Sequence, residues 1–389
     1  MTTDQNPILF GQPWFDETEE RLVLQTIRSG WIGQGPLVEL FEERFSEYLG
    51  APEVVTVSSC TAGLQLALIA LGIGAGAEVI TTPFTFVATM NAIDHVGATP
   101  VLVDIERGSL NISPKSVERA ITERTRAIMP VHFGGRPLDT EGFYRLAERH
   151  DLWIIEDAAH ATGGVAHGRL VGGSKHPRAL CVFSFYPNKN LSSAEGGAVS
   201  LADVDVADHL RRLRLHGLDV DAWRRYKDDR YQPSLAVEPG FKFNWTDLQA
   251  ALALGQLEKL EGFLATREYL AERYDTLLGE VAGVRPVARG ESGLRTRHAL
   301  HLYQVEIEAP PPARDLVVAS LRSRGIGAAV HYLGVNHHPY YANRFPDGFP
   351  VSDRATASLV TLPLHMHMAD AHVRRVVDEL DAALRLIAS

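Results

Sequence analysis

Between residues 50 and 200, short and nearly continuous apolar runs alternate with stretches whose apolar residues recur at helical spacing. That alternation confines the chain to an α/β fold, a mostly parallel sheet flanked by helices. Val54–Val57, Glu78–Thr81, Pro100–Val103, Ala127–Val131, Leu152–Ile155 and Cys181–Phe185 read as strands, each apolar enough to be buried on both faces. Helices are expected over Thr61–Leu71, Phe86–Val96, Pro114–Ile121 and Leu138–His150. Beyond residue 200 the pattern lengthens into helices over Val204–Leu215 and Thr246–Leu278, the second bent near Glu261-Gly262. A polar stretch, Ala288–Gly293, then leads to an alternating strand, Leu302–Ile307, and a helix, Ala313–Arg322. The expected division is a large domain, residues 1–245 with the N-terminal segment included, and a smaller C-terminal α+β domain, residues 246–389.

Two domains suit 389 residues. The net charge of −10, with no long run of Lys and Arg, argues against a nucleic-acid partner. No segment reaches the ~18 apolar residues that span a bilayer, and Met1–Asn6 lacks the basic and apolar parts of a signal peptide. Cys60 and Cys181 are too few for a disulfide framework or a thiolate zinc site, so two free thiols in a reducing cytoplasm are expected.

In an open parallel sheet, ligands gather at the carboxyl ends of the strands, and four such ends stand out. Ser58–Gly63 runs from a strand into a helix with small residues that admit a phosphate to backbone N–H groups, although a Ser/Thr cap begins many helices. Asp157, after the strand at 152–155, could hold a pyridine nitrogen protonated; alone, such an Asp is more often a helix cap or a metal ligand. Lys189, in the loop Tyr186–Gly197, could be desolvated and made nucleophilic, where a lysine taken singly is usually a surface residue. Phe86, after Thr82–Thr85, could lie on a planar cofactor or simply fill the core.

Taken together, these residues resemble the DegT/DnrJ/EryC1/StrS family of sugar-nucleotide aminotransferases, of the aspartate-aminotransferase fold (fold type I). The matching pieces follow family order: Ser29–Pro36, Ser59–Gly63, Ile155–His160, Phe183–Phe185 with Lys189-Asn190, Glu195–Gly197, His216-Gly217, Pro239–Asn244 and Leu248–Ala251. The resemblance implies pyridoxal 5'-phosphate (PLP) held covalently by Lys189, which also moves the proton. It implies Asp157 on the pyridine nitrogen, His160 beside the ring, Phe86 stacked on it, and Thr61, Ala62 and Ser184 on the phosphate. Lys242 and Asn244 would reach the phosphate of a neighbouring subunit, so a homodimer with shared sites is implied. Within the family the motifs lie nearest those of the aminotransferases that make UDP-4-amino-4-deoxy-L-arabinose. His331 falls at their sugar-side histidine, while Tyr186-Pro187-Asn188 and Phe86 depart from their usual His-containing loop and Trp.

The implied reaction moves an amino group from L-glutamate to a nucleotide-linked keto sugar, with position 4 favoured and Tyr186 and His331 on the sugar side. A dehydratase of the same family would carry histidine in place of Lys189. A non-catalytic sensor would not need Lys189, Asp157, Thr61 and Ser184 together. A nicotinamide dehydrogenase would need the G-x-G-x-x-G turn, which the first strand lacks. His337, His338, His365 and His367 lack a recognisable carboxylate partner, and no metal is assigned to them.

Overall fold

A run such as Val54-Val55-Thr56-Val57 offers water no polar face, so it is stable only where neighbouring strands take its backbone groups and helices cover both sides. The computed structural model, which describes residues 6–219, 233–289 and 295–388, builds that arrangement. Its central sheet contains β1 (Glu53–Val57), β2 (Glu78–Thr81), β3 (Thr99–Leu102), β4 (Thr125–Ile128), β5 (Trp153–Asp157), β8 (Ala179–Ser184) and β9 (Gly197–Leu201), with a small hairpin, β6 (Val165–Ala166) and β7 (Arg169–Leu170), inserted before β8. The strand order is β1-β9-β8-β5-β4-β2-β3. All pairings are parallel except those of β9, which runs against both β1 and β8.

Successive side chains of these strands enter different cores, as a period of two requires. Val55, Val57 and Val182 pack with Leu64 and Leu68 of α3 (Cys60–Ala70), while Val54, Cys181 and Phe183 join Phe41 and Phe45 of α2 (Pro36–Leu49). Helices α4 (Val87–His95), α5 (Pro114–Glu118), α6 (Thr140–His150) and α7 (Val204–Leu213) complete the layers, preceded by α1 (Glu17–Ser29).

The expected bend near Glu261-Gly262 is not a break: α8 (Asp247–Leu278) is one helix of 32 residues. Its N-terminal half buries Ala250, Leu254 and Leu260 against the α2 core, and its C-terminal half buries Leu270, Tyr274 and Leu278 in a second core. That second core belongs to an antiparallel sheet of β10 (Val284–Pro286), β11 (Tyr303–Ile307) and β12 (Leu359–Leu362), covered by α9 (Ala313–Ser323) and α12 (Asp370–Ala388). Between them lie the short α10 (Pro339–Ala342) and α11 (Pro350–Ser358). The first described residues cross to this unit: Ile8 N–H donates to Gly325 C=O and Gly327 N–H to Ile8 C=O, each at 2.8 Å. Of the polar stretch at 288–293 only Ala288 and Arg289 are described, and Met1–Gln5 also lie outside the described residues.

Candidate active site

Asp157 is the last residue of β5, so the sheet itself aims its carboxylate. Its N–H donates to Pro130 C=O at 2.9 Å and its C=O accepts from His132 N–H at 3.0 Å. The buried carboxylate accepts from Thr89 Oγ1 at 2.8 Å and from Ala159 N–H at 3.1 Å, with the Cys60 thiol 3.9 Å away. Burial pushes the Asp157 carboxyl above its ordinary range; the bonds from Thr89 and Ala159 and the charge of Lys189 oppose that. Among the described residues, no Lys or Arg forms an ion pair with it.

Lys189 lies in the loop that follows β8. Its N–H donates to Tyr186 C=O at 2.9 Å, and Phe185 and Ser193 pin the loop base through bonds to Gly196 C=O and from Ser193 N–H to Phe185 C=O, both at 2.9 Å. Ala194 is held at φ 69°, a left-handed conformation that a non-glycine residue enters at a cost and that clusters near functional sites. Lys189 Nζ reaches His301 Nε2 at 3.5 Å. Burial pulls the lysine down from 10.5 to about 8, against the opposing influence of Cys60 and Asp157.

The N-terminus of α3 begins beside this pair. Ser59 caps it by accepting Ala62 N–H at 3.1 Å, which places Thr61 and Ala62 in the first turn, where the helix dipole favours an anion. A Cβ at Gly197 would come within 2.7 Å of Cys60 N and 2.6 Å of Phe183 O, so only glycine lets β9 pass this turn. Ser184, the last residue of β8, is buried, and Tyr186 beyond it is 48% exposed.

His160 is fully engaged. Gly134 N–H donates to its Nδ1 at 3.2 Å, so Nε2 carries the proton, and Tyr332 Oη lies 2.9 Å from it. Burial, then Lys189 and His331, hold His160 well below the usual histidine range. His331 bonds through Nδ1 to Thr361 Oγ1 at 3.0 Å and stacks on Phe10 at 5.0 Å; burial and Lys189 lower it to about 4. Phe86, 58% exposed at the start of α4, has its ring 5.9 Å from that of Tyr332.

Lys242 and Asn244 stand on a segment pinned beside α3, with Ser58 N–H donating to Phe243 C=O at 2.7 Å. Lys242 is exposed and its Nζ bonds Asn244 Oδ1 at 2.5 Å. Thr89, Tyr332 and His301 were absent from the sequence reading. Thr89 left a weak trace, since Thr85 and Thr89 are one helical turn apart and their hydroxyls are 2.9 Å apart.

The histidines set aside in the sequence go to separate partners: His337 to Asp353 at 2.8 Å, His365 to Leu9 C=O and His367 to Pro13 C=O, both at 3.1 Å. A different buried trio, His132, Glu156 and Cys181, has ligand atoms within 4.8 Å of one another. There His132 Nε2 and Tyr144 Oη both bond the Glu156 carboxylate, at 2.8 and 2.6 Å, while His132 Nδ1 accepts Leu138 N–H at 3.2 Å. The network is closed and anchors β5 on the side opposite Asp157. His132→Ala removes a buried partner of Glu156 and should lower unfolding free energy by about 3 kcal/mol, read by urea denaturation. A loss below about 1 kcal/mol would show that the network does not anchor the strand.

The model of the DegT/DnrJ/EryC1/StrS aminotransferase family matches residues 13–381. The chain belongs to this family. Among relatives of this family member, the spore coat polysaccharide biosynthesis protein SpsC of Bacillus subtilis is 40% identical over 385 residues, 97% of each chain. Spr1654 from Streptococcus pneumoniae, solved in a PMP-form and a PLP-form, superposes at TM-scores of 0.90 and 0.89 with 30% identity, covering 98% of this chain and 100% and 99% of the other. The sugar aminotransferase CalS13 from Micromonospora echinospora aligns at a TM-score of 0.85 and 28% identity, over 96% of this chain and 99% of its own. The fold is therefore PLP fold type I, as the family resemblance implies. The donor set of this DegT/DnrJ/EryC1/StrS chain fits that cofactor. A buried carboxylate without an ionic partner suits a protonated pyridine nitrogen, a lysine near 8 suits an aldehyde, and a capped helix start suits a phosphate.

Proposed function

We propose that this PLP-dependent sugar aminotransferase transfers the amino group of L-glutamate to a nucleotide-linked keto sugar, with C4 as the acceptor carbon. The observation that carries the reading is the placement of Lys189 and Asp157 at the carboxyl ends of adjacent parallel strands, close enough that each shifts the other's titration. PLP supplies an aldehyde that exchanges amino groups and an electron-poor ring that stabilises the carbanion left when a C–H bond breaks. Lys189 would hold the cofactor and, when its amine is free, would take a proton from the donor carbon and return it at the neighbouring position. A lysine near 8 populates both charge states around neutral pH, which that alternation needs. Asp157 would keep the ring nitrogen charged, with neutral His160 beside the ring. Thr61, Ala62 and Ser184 would hold the phosphate, Phe86 would cover the open face, and Tyr186 and His331 would face the sugar. The buried free thiols Cys60 and Cys181 accord with a cytoplasmic enzyme. Visible absorbance of the purified protein before and after adding L-glutamate tests cofactor and donor together. Release of 2-oxoglutarate with a panel of keto sugar nucleotides then tests the acceptor.

The exposed Lys242–Asn244 pair supports a homodimer with shared sites, because neither residue turns toward its own chain's Lys189 through any bond among the described residues. Lys242→Ala should weaken PLP retention on dialysis by about tenfold. Co-expressed Lys189→Ala and Lys242→Ala subunits should recover about a quarter of wild-type sites, since only mixed dimers contain one intact site. No recovery in a confirmed mixed dimer would remove the shared-site reading.

A further inference from the structure

We infer that His301 is a positioning residue for amino transfer: it accepts a hydrogen bond from the Lys189 amine at Nε2 and so fixes the direction in which that amine acts. The inference rests on Lys189 being the reacting amine.

Three histidines surround Lys189, and their bonding separates them. His160 has both ring nitrogens taken, by Gly134 N–H and by Tyr332 Oη. His331 gives Nδ1 to Thr361. Among the described residues, His301 alone has a nitrogen at hydrogen-bond distance from Lys189 Nζ, 3.5 Å. It is 5% exposed, its ring centre is 4.5 Å from that of His160, and burial together with the charge of Lys189 keeps it neutral. With Lys189 as the donor, a neutral imidazole presents its lone pair at Nε2 and carries its proton on Nδ1.

That Nδ1 is buried and has no hydrogen-bond partner. A buried orphan donor costs about 1–3 kcal/mol, which leucine or phenylalanine in the same space would not incur. Packing therefore does not account for a histidine here, whereas the contact with Lys189 does. The backbone adds to the same picture. Leu300, immediately before it, is held at φ 51°, and the buried Arg267 guanidinium donates to Leu300 C=O at 3.1 Å and His301 C=O at 3.5 Å. A buried arginine and a left-handed residue thus hold the ring against the lysine.

The consequence is directional. While Lys189 is joined to the cofactor its nitrogen is constrained covalently; once its amine is free, the bond to His301 is the constraint that remains. The lone pair then points away from the imidazole for proton transfer. The titratable groups bearing on Lys189 are Asp157 from β5 and the Cys60 thiol from α3, which burial keeps protonated, with His160, His301 and His331 responding to the charge of Lys189. An acceptor at Nε2 favours the ammonium form, so its loss moves Lys189's titration further downward.

The test compares His301→Leu with His301→Gln, whose amide oxygen can still accept, in the holoenzyme. His301→Leu should slow single-turnover amino transfer from L-glutamate by about tenfold or more. The pH midpoint for recombination of cofactor-free enzyme with added PLP should also move down, and His301→Gln should restore both readings to within about threefold and near the wild-type midpoint. A His301→Leu enzyme with unchanged rate and midpoint overturns the inference, as does a His301→Gln enzyme no better than His301→Leu. If Lys189→Ala still turns over, the reading of Lys189 has failed instead, and the two failures are told apart by that single variant.

Discussion

Lys189→Ala is expected to abolish amino transfer, with a rate loss of at least about 10⁴-fold, because in the proposed function one substitution removes both the covalent anchor and the proton carrier. The protein should nonetheless remain folded. In the cofactor-free chain, burial holds Lys189 at about 8, against 10.5 for a free lysine. Below the lower value both folded and unfolded states are protonated, and the folded state bears the full desolvation penalty. Between the two values the unfolded chain binds the extra proton, so stability rises with pH, and above the upper one the penalty is gone. Allowing for the partial accessibility of the loop, the penalty is about 1–3 kcal/mol. The cofactor-free Lys189→Ala protein should thus exceed wild type in stability near pH 7 and lose that advantage as pH approaches the free-lysine range. Visible absorbance and urea melts at several pH values measure both expectations, and retained turnover would end the assignment.

Asp157→Asn is expected to reduce amino transfer by about 10²–10⁴-fold while leaving PLP bound. The amide keeps the size of the carboxylate; its oxygen can still accept from Ala159 N–H, which donates at 3.1 Å, and its NH2 can donate to the Thr89 hydroxyl that now donates at 2.8 Å, so local packing is preserved. What disappears is the negative charge that, in the proposed function, would keep the ring nitrogen protonated. A cofactor analogue methylated at the pyridine nitrogen carries that positive charge permanently and should recover part of the lost rate. Equal loss with both cofactors would show that Asp157 serves geometry rather than charge. Before cofactor binding the carboxyl is raised by burial, so its ionised form is disfavoured in the folded state. The cofactor-free variant should therefore gain stability at pH values above the carboxyl's titration range.

How far the site could be read from residues varies with the distance over which each signal acts. Asp157 and Lys189 were visible because each follows a strand that its own apolar residues announce. The strand before Asp157 proved longer than its apolar run, extending through Glu156 and Asp157, because Tyr144 and His132 satisfy the buried Glu156 carboxylate. β9 was missed: Gly197–Leu201 is short, and its antiparallel course depends on the turn at Ala194–Gly196, where Gly196 lies against Trp245. The helix expected over Pro114–Ile121 ends at Glu118.

Local periodicity and composition determined the α/β class, most strands of the central sheet and the positions of the two strand-end groups to which the proposed chemistry is assigned, because a buried strand must be apolar over its own few residues. The convergence of His301, Tyr332 and Thr89 on those groups was decided only in three dimensions. His301 lies 112 residues from Lys189 and Tyr332 lies 172 from His160. No local pattern encodes such pairings. They arise when α8 spans both cores and brings the antiparallel unit over the carboxyl ends of β5 and β8, where burial then removes water and gives each contact its effect on the neighbouring charge.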